Sequence, residues 1–540
     1  MLGGRDATRF AALEWARKGS IPMSIARHVA VVGTATLASR LLGFVRDVAI
    51  AGLFGAGARA DAFVVAFQFS NLIRRLLTEG ALNSAFVPLY LRKREEGKAA
   101  GEAAAAAFAG KVTGTITLLL FGMSVLLALA MPLLMLALAP GFSGMPARMS
   151  LVIELSRLML PYLVLAGPIA VLMGVLNANH RFAAAALTAV MFNAVILAVI
   201  AVIVFQRWGD SDLSARALAI AVAIAGLCQL ALVAIAVWAG PQKATPLGLL
   251  SRAETRGFTA LAIPALIATS IPQLTMIAAA VIASDWPGAV AYLYYANRLI
   301  DLPLGLVGIA VGTVMTPALS HAMRSDDHEI APRTIQRGIE LSLGLALPAA
   351  VGLFVLGWPI VRILFERGAF TSVDSRSTAA MLAAFAVGLP GHVLVKTLSP
   401  VFFAREDTRT PMLVTLLGLA LAVIGSIAFM RIGQPTGIAL SIALSGWFGA
   451  ALLYALARRQ KFVDAGAISW RRLSLIALAA ILTGILAGIC GHYLGLNEPE
   501  YHLQTFHAVI LAVAIAFAIA FYLSCLWLFG VIRVGDFRKP

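Results

Sequence analysis

Along most of the chain, apolar residues come in runs longer than a soluble fold uses. Fourteen such runs can be marked, at 28–54, 60–91, 106–139, 150–176, 183–206, 215–239, 257–284, 289–322, 338–365, 377–404, 410–431, 435–457, 473–496 and 505–532. A helix needs about 20 apolar residues to cross about 30 Å of hydrocarbon. Each run therefore predicts one membrane-spanning helix, and the longer ones leave room for tilt or a kink. The runs are continuous and rich in Leu and Ala, without two-residue alternation, which argues against a β-barrel. The polar stretches between them are basic. With the amino end placed in the cytoplasm, 26 of the 42 Lys and Arg residues fall on the cytoplasmic side and 8 on the other. That bias predicts both termini inside.

Composition supports the same class. Hydrophobic residues are 60% of the 540 and charged residues 13%, against about 25% charged in soluble proteins. With so little charge to face water, most of the outer surface must face lipid. This excludes a soluble enzyme, a secreted disulfide scaffold and a disordered protein. The net charge of +16 is not gathered in a basic run interleaved with aromatics, so no nucleic-acid partner is expected, and membrane lipids with anionic headgroups are the simpler partner. Cys228, Cys490 and Cys525 stand singly inside apolar runs, and no HExxH spacing occurs among the histidines, so no metal site is expected. Residues 1–22 are hydrophilic and lack the apolar core of a cleaved signal peptide. They read as an N-terminal extension, with Met23 an equally good start.

Two local matches recur at nearly one lag. Phe86-Val87-Pro88-Leu89 is similar to Met315-Thr316-Pro317-Ala318, and the turn Ala178 to Arg181 is similar to the turn Ala404 to Asp407, at lags of 229 and 226 residues. Each lag carries six spans, an even number, so both halves insert with the same orientation as parallel repeats. The predicted fold is an all-α polytopic membrane protein of about fourteen transmembrane helices. It has two pseudo-symmetric six-helix lobes, 23–240 and 241–462, and a C-terminal region, 463–540, with the last two helices and a cytoplasmic tail. Sites in such folds lie between the lobes near mid-membrane.

The charges inside the spans carry the functional argument. An Arg at the bilayer centre costs about 2.5–3.5 kcal/mol on insertion scales, so several together need partners or a wet cavity. The first span holds Arg40, Arg46 and Asp47. The second holds Arg74 and Arg75 with Glu79, and the eighth holds Arg298 with Asp301. Arg75 and Glu79 are four apart and share a helix face, which predicts a structural ion pair. Arg298 and Asp301, three apart, can pair as well. Arg74 has no acid three or four residues away. Asp47 lies near Arg40 and Arg46 but cannot neutralise both. Five arginines against three carboxylates leave a positive excess, and a guanidinium fork suits phosphate. The cavity is expected to hold an anion, most plausibly a phosphate or pyrophosphate. Lys396, one turn after His392, is either a structural counter-ion or the fixed charge of an ion-coupling site. Asp61 opens the second span at the outer surface, where it either caps its helix or takes part in gating and headgroup contact.

At these residues the sequence resembles a known family. Ala38-Ser39-Arg40-Leu41-Leu42-Gly43-Phe44-Val45-Arg46-Asp47 is similar to the opening helix of the MurJ/MviN lipid II flippases. So are Phe54-Gly55-Ala56-Gly57, Asp61-Ala62-Phe63, Asn71-Leu72-Ile73-Arg74-Arg75, Glu79-Gly80-Ala81 and Ala85-Phe86-Val87-Pro88. Tyr294-Tyr295 with Arg298-Leu299, and the Asp407-Thr408-Arg409-Thr410-Pro411 turn, extend the resemblance. It implies the fold of the multidrug/oligosaccharidyl-lipid/polysaccharide exporter superfamily in a bacterial inner membrane. It also implies transport of lipid II, the undecaprenyl-pyrophosphate-linked peptidoglycan precursor, from the inner to the outer leaflet. Arg40, Arg46, Arg74 and Arg298 match the family's cavity arginines and Asp61 its outer aspartate. The sequence departs from the family at Gln68, often basic there, at Ser70, often proline, and at Asn297, often aspartate; the last departure removes an acid beside Arg298 and makes the cavity more positive.

The expected mechanism is alternating access without enzyme chemistry or cofactor, driven by a coupling ion (Na+ or H+) or by membrane potential. Rival functions are export of another lipid-linked oligosaccharide or of drugs, and a membrane-embedded prenyl-phosphate transferase. Drug cations prefer an acidic cavity. A transferase needs a general base or an Asp-rich metal site, and no DxxD pair lies in a span.

Overall fold

The computed structural model describes residues 23–75, 82–95, 98–240, 248–322, 330–430, 435–460, 462, 469–496 and 504–531. The extension 1–22 and Glu79 lie outside the described residues. Among those described, the chain forms seventeen α-helices and one 3-10 turn, with no strand. The first half comprises α1 (Met23–Phe54), α2 (Ala58–Arg75), α3 (Leu82–Glu95), α4 (Lys98–Leu138), α5 (Pro146–Met159), α6 (Pro161–Ala178), α7 (Phe182–Phe205) and α8 (Asp212–Trp238). The second half comprises α9 (Arg252–Ala283), α10 (Ala289–Ala322), α11 (Ile330–Val355), α12 (Gly357–Phe365), α13 (Ser372–Phe403), α14 (Arg409–Met430) and α15 (Thr436–Arg459). Two more helices, α16 (Trp470–Tyr493) and α17 (Gln504–Leu528), complete the chain.

Ten of the fourteen expected spans are long and apolar enough to cross a bilayer on the described residues alone. The other four, 28–54, 60–91, 257–284 and 289–322, are helical too, as α1, α2 with α3, α9 and α10. They hold the intramembrane arginines or run into side chains outside the description. The span 150–176 is broken between Leu160 and Pro161, because proline has no N–H to continue the ladder but is tolerated at a helix start. Leu118, Leu126, Leu129 and Leu133 on α4 are exposed, as is Phe205 at the end of α7. Exposed leucines in such numbers face lipid, not water.

The halves are built alike. Packing of α4 on α6, α6 on α8 and α7 on α8 recurs as α11 on α13, α13 on α15 and α14 on α15. The span made of α5 and α6 and its counterpart α13 are the two most buried spans. The turns that follow them repeat bond for bond. His180 and Glu406 both take positive φ, 57° and 62°. The Arg181 N–H donates to the Leu176 carbonyl at 2.8 Å, and the Asp407 N–H to the Phe402 carbonyl at 3.1 Å. This is the closure that ends a helix in a left-handed residue, and it recurs at the 226-residue lag of the sequence match. Outside the membrane, the Asp407 carboxyl lies below its ordinary pKa because the Thr410 side chain, then its backbone, donates to it. The Pro88–Pro317 match is open to inspection on one side only: Pro88 lies inside α3, while the side chains of Met315 to Ala318 lie outside the described residues.

In lipid, apolar burial does not drive helices together, so small residues that allow close approach do that work. Gly388 of α13 faces the backbone of Ala443 on α15, and Gly391 faces that of Gly446 and Trp447; a Cβ at either would collide with main chain. The helices α16 and α17 pair with each other and lean on α11, where the Tyr522 hydroxyl donates to the Gly344 carbonyl at 2.7 Å. Overpacking a tight contact costs about 1–3 kcal/mol. Gly388→Val is therefore expected to lower the thermal unfolding midpoint in detergent; an unchanged midpoint would show that α13 and α15 are not held this close.

Candidate functional site

The two halves enclose a cavity of about 590 Å³. Its first wall comes from α1, α2, α6, α7 and α8, and its second from α10 and α13. Arg40, Arg46, Arg74, Arg75, Arg298 and Lys396 all line it, with Asp301 the one carboxylate among the lining residues. The four arginines singled out from the sequence thus share one chamber, and Lys396 joins them. The helix α1 runs unbroken through Gly43, and the chamber is wide enough to meet both Arg40 and Arg46.

At the deep end the charges converge on Asp47, which is fully buried. Arg46 donates to its Oδ1 from Nε at 3.0 Å and from Nη2 at 2.7 Å. Arg298 of α10 donates from Nε to Oδ2 at 2.5 Å, and the Tyr294 hydroxyl to Oδ1 at 3.0 Å. One carboxylate on the first half therefore serves a cation from each half. Arg46 is held further by the Asn193 amide oxygen at 2.9 Å and by the Phe67 ring at 4.9 Å. Asn193 in turn donates to the carbonyls of Ser39 and Ala189, so α7 fixes the guanidinium against α1. Arg298 lies 5.5 Å from the Tyr294 ring centroid and only 3.8 Å from Asp301. The pairing expected from the three-residue spacing is thus the looser of its two ion pairs. The bridge from Asp47 to Arg298, and Asn193 behind it, were not foreseen. Asp47 sits beside Arg46 in sequence, which pointed to a local pair, and nothing in spacing links it to a residue 251 positions away.

Nearer the cavity mouth the cations are more open. Arg74 donates twice to the Asn71 side-chain oxygen, at 3.0 and 2.9 Å. Arg75 reaches across to the Gln273 side-chain oxygen on α9 at 3.2 Å. The expected Arg75–Glu79 ion pair lies outside the described residues. Arg40 and Lys396 are exposed to the cavity. Both rest against α10: a Cβ at Gly305 would collide with the Arg40 guanidinium, and one at Gly308 would touch the Lys396 ammonium at 3.8 Å.

Asp61 does not line this cavity. It is fully buried beyond the cavity's deep end, where it accepts from the backbone N–H of Gly288 at 2.8 Å and of Ala291 at 3.0 Å, with Arg148 Nη1 at 3.5 Å. The carboxylate caps the start of α10 in the other half, in place of its own helix, where bare N–H groups and the helix dipole favour an anion. Around it the halves meet backbone to backbone. The Ala369 N–H donates to the Gly52 carbonyl at 2.8 Å, and Gly55 and Gly368, both at positive φ, leave no room for a Cβ there. The chamber is closed on this side.

Six cationic side chains thus share the chamber's surroundings with two carboxylates, Asp47 and Asp301, of which Arg46 and Arg298 take the ion pairs, and such a surplus of positive charge can attract an anion. Among the described residues no group of His, Cys, Asp or Glu could hold a metal ion.

Comparison with known proteins adds the following. The family model described as "Lipid II flippase MurJ" matches residues 50–528. The probable lipid II flippase MurJ of Rhizobium tropici is 36% identical over 522 residues, 96% of either chain. That of Rickettsia prowazekii (strain Madrid E) is 31% identical over 93% of this chain and 98% of its own. The lipid II flippase MurJ of Burkholderia cenocepacia is 30% identical over 96% of this chain and 99% of its own. A solved lipid II flippase MurJ in an inward closed conformation shares the fold, with a TM-score of 0.76 at 23% identity over 93% of this chain and 100% of the other. An inward-facing multidrug resistance MATE family transporter of the MOP superfamily follows at 0.64 and 14% identity, over 80% of this chain and 98% of the other.

Removing one partner of a buried ion pair costs about 3–5 kcal/mol. Asp47→Asn strands two guanidinium groups and is expected to lower the unfolding midpoint in detergent sharply, and adding Arg298→Gln to recover part of the loss. A midpoint equal to that of the unaltered protein would show that Asp47 does not hold the halves together.

Proposed function

The chain belongs to the lipid II flippase MurJ family, and on that premise we propose that it translocates lipid II from the inner to the outer leaflet of the bacterial cytoplasmic membrane by alternating access. The observation that carries the reading is the charge balance of the cavity: six cationic side chains, from both halves, against Asp47 and Asp301. A pyrophosphate matches this chemistry, because guanidinium forks bind phosphate oxygens in pairs. Arg40, Arg46, Arg74 and Arg298 take the diphosphate in this reading, while the prenyl tail stays in lipid.

Both termini face the cytoplasm, as the distribution of Lys and Arg supports. The Asp61 clamp then closes the outer side, and the cavity is reached from the cytoplasm. The lobes 23–240 and 241–462 rock about the Asp47 bridge, and the region 463–540 rides with the second lobe. Asp61 serves the outer closure and is not a substrate contact. No covalent step and no cofactor is needed. A coupling ion, Na+ or H+, can drive the cycle, as can membrane potential, since one charge moved across 100 mV is worth about 2.3 kcal/mol. Lys396 is the candidate for a coupling charge. Drug cations are disfavoured by the sign of the cavity, and a prenyl-phosphate transferase would require a general base or an acidic metal site beside the arginines.

The test is passage of labelled lipid II across vesicles reconstituted with the purified protein. Arg74→Ala and Arg298→Ala are each expected to reduce passage at least about tenfold, the loss of one charge-assisted contact of about 1.5–3 kcal/mol, with membrane insertion intact. Either variant at full rate would remove that arginine from the substrate site, and an unaltered protein that passes no lipid II would overturn the function.

A further inference from the structure

Away from the central cavity, the flank formed by α4 and α5 carries a second recess, of about 770 Å³, lined among others by Pro132, Ser143, Ser150, Ile153, Glu154 and Arg157. We propose that this groove is a binding site for an anionic phospholipid, with Arg157 as the contact to its phosphate.

The site begins with a proline. Pro132 lies inside α4 and has no N–H, so the Ala128 carbonyl four residues earlier loses its helical donor. Arg157 of α5 supplies one, from Nε at 3.0 Å. That bond fixes the guanidinium against the groove wall and uses one of its five N–H donors. The acid nearest along α5 is Glu154, and it is already taken: Arg216 of α8 donates to both its oxygens, at 2.7 and 3.1 Å. Arg157 is exposed and has no ion pair among the described residues. It is a fixed cation on the exposed flank, and among the described residues the one carboxylate lining its groove, Glu154, is paired with Arg216 instead.

Its surroundings suit a lipid and not a free ion. Arg216 lies four residues inside α8, and Arg157 is one turn below the Glu154 that meets it. This puts the guanidinium on the outward part of these spans, below the start of α8, eleven residues into α5 and bonded to a carbonyl ten residues short of the end of α4. The hydroxyls of Ser143 and Ser150, both exposed, lie on the headgroup side. On the acyl side, the face of α4 that holds Pro132 continues as Leu129, Val125, Phe121 and Leu118, all exposed. These follow at three- and four-residue steps, an apolar stripe along which a chain can lie. The site also abuts the outer closure. Arg148 and Arg157 are nine residues apart on α5, which puts them on opposite faces at about 100° per residue. Arg148 points inward to Asp61 and Arg157 outward to lipid, so a bound lipid braces the helix from behind the clamp.

The test is native mass spectrometry of the full chain from detergent with added phosphatidylglycerol or phosphatidylcholine. It leaves the cavity untouched and is independent of translocation. The expected result is one phosphatidylglycerol retained in preference to phosphatidylcholine by about fivefold, the worth of one cation near an anionic headgroup. The preference disappears in Arg157→Gln. Ser150→Trp, which fills the groove and leaves the bond from Arg157 to Ala128 in place, also removes it. Unfolding midpoints measured without lipid verify that both variants fold. Equal retention of the two lipids by the unaltered protein overturns the site. So does retention of phosphatidylglycerol by Arg157→Gln, or by Ser150→Trp, at the unaltered level.

Discussion

The structure depends on one carboxylate. Asp47 lies fully buried between Arg46 on its own helix and Arg298 on the other half. At an effective dielectric near 20, a unit pair 4 Å apart attracts by about 4 kcal/mol. Sharing one acid between two guanidinium groups holds both halves to a common point and still leaves the point positive. The arginines are thereby placed in a membrane without being fully neutralised, which a receptor for an external polyanion requires.

Two kinds of contact divide the molecule. Within each half, helices meet through small residues at backbone distance, as Gly388 and Gly391 meet α15. Such packing is stiff and has few alternative arrangements. Between the halves, the buried polar contacts centre on the Asp47 bridge and on the clamp of Asp61, Gly288 and Ala291 with the Gly52–Ala369 backbone bond, while Arg75 with Gln273, Lys111 with Glu254 and the Phe44–Phe365 ring pair join them elsewhere. Rigid lobes joined by a few exchangeable hydrogen bonds can rock without repacking their cores, as in hinge and shear closures. The positive cavity pushes the halves apart where they do not touch, and an anion that enters it offsets that repulsion.

Much of the fold was legible in sequence because it rests on local properties. A run of apolar residues predicts a span wherever it stands in the chain, and the match between the turns at Ala178 and Ala404 reappeared as identical hydrogen bonds around His180 and Glu406. The gathering of Arg40, Arg46, Arg74 and Arg298 was legible from cost, since several cations inside spans need partners or a wet cavity, and these four line one chamber. Pairings were less legible. Arg298 was matched to Asp301 by spacing and holds Asp47 more tightly. The position of Asp61 at the start of α2 points to a cap of its own helix or an outer contact, yet it caps α10. Arg157 completes a carbonyl that Pro132 leaves bare, a partnership between α4 and α5 that no spacing along either helix encodes.

The sequence by itself therefore determined the medium, the all-helical class, the order of the apolar spans, the twofold plan and the sign of the interior charge, while the division of those spans into seventeen helices among the described residues was set by their breaks, as at Pro161. Each is a sum over neighbours in the chain or a cost that any fold must meet. Tertiary structure alone decided which carboxylate answers which arginine, where the halves close and which cations stay open to a ligand. Those depend on side chains up to 251 residues apart meeting within 3 Å, and no periodicity along one helix encodes a partner on another.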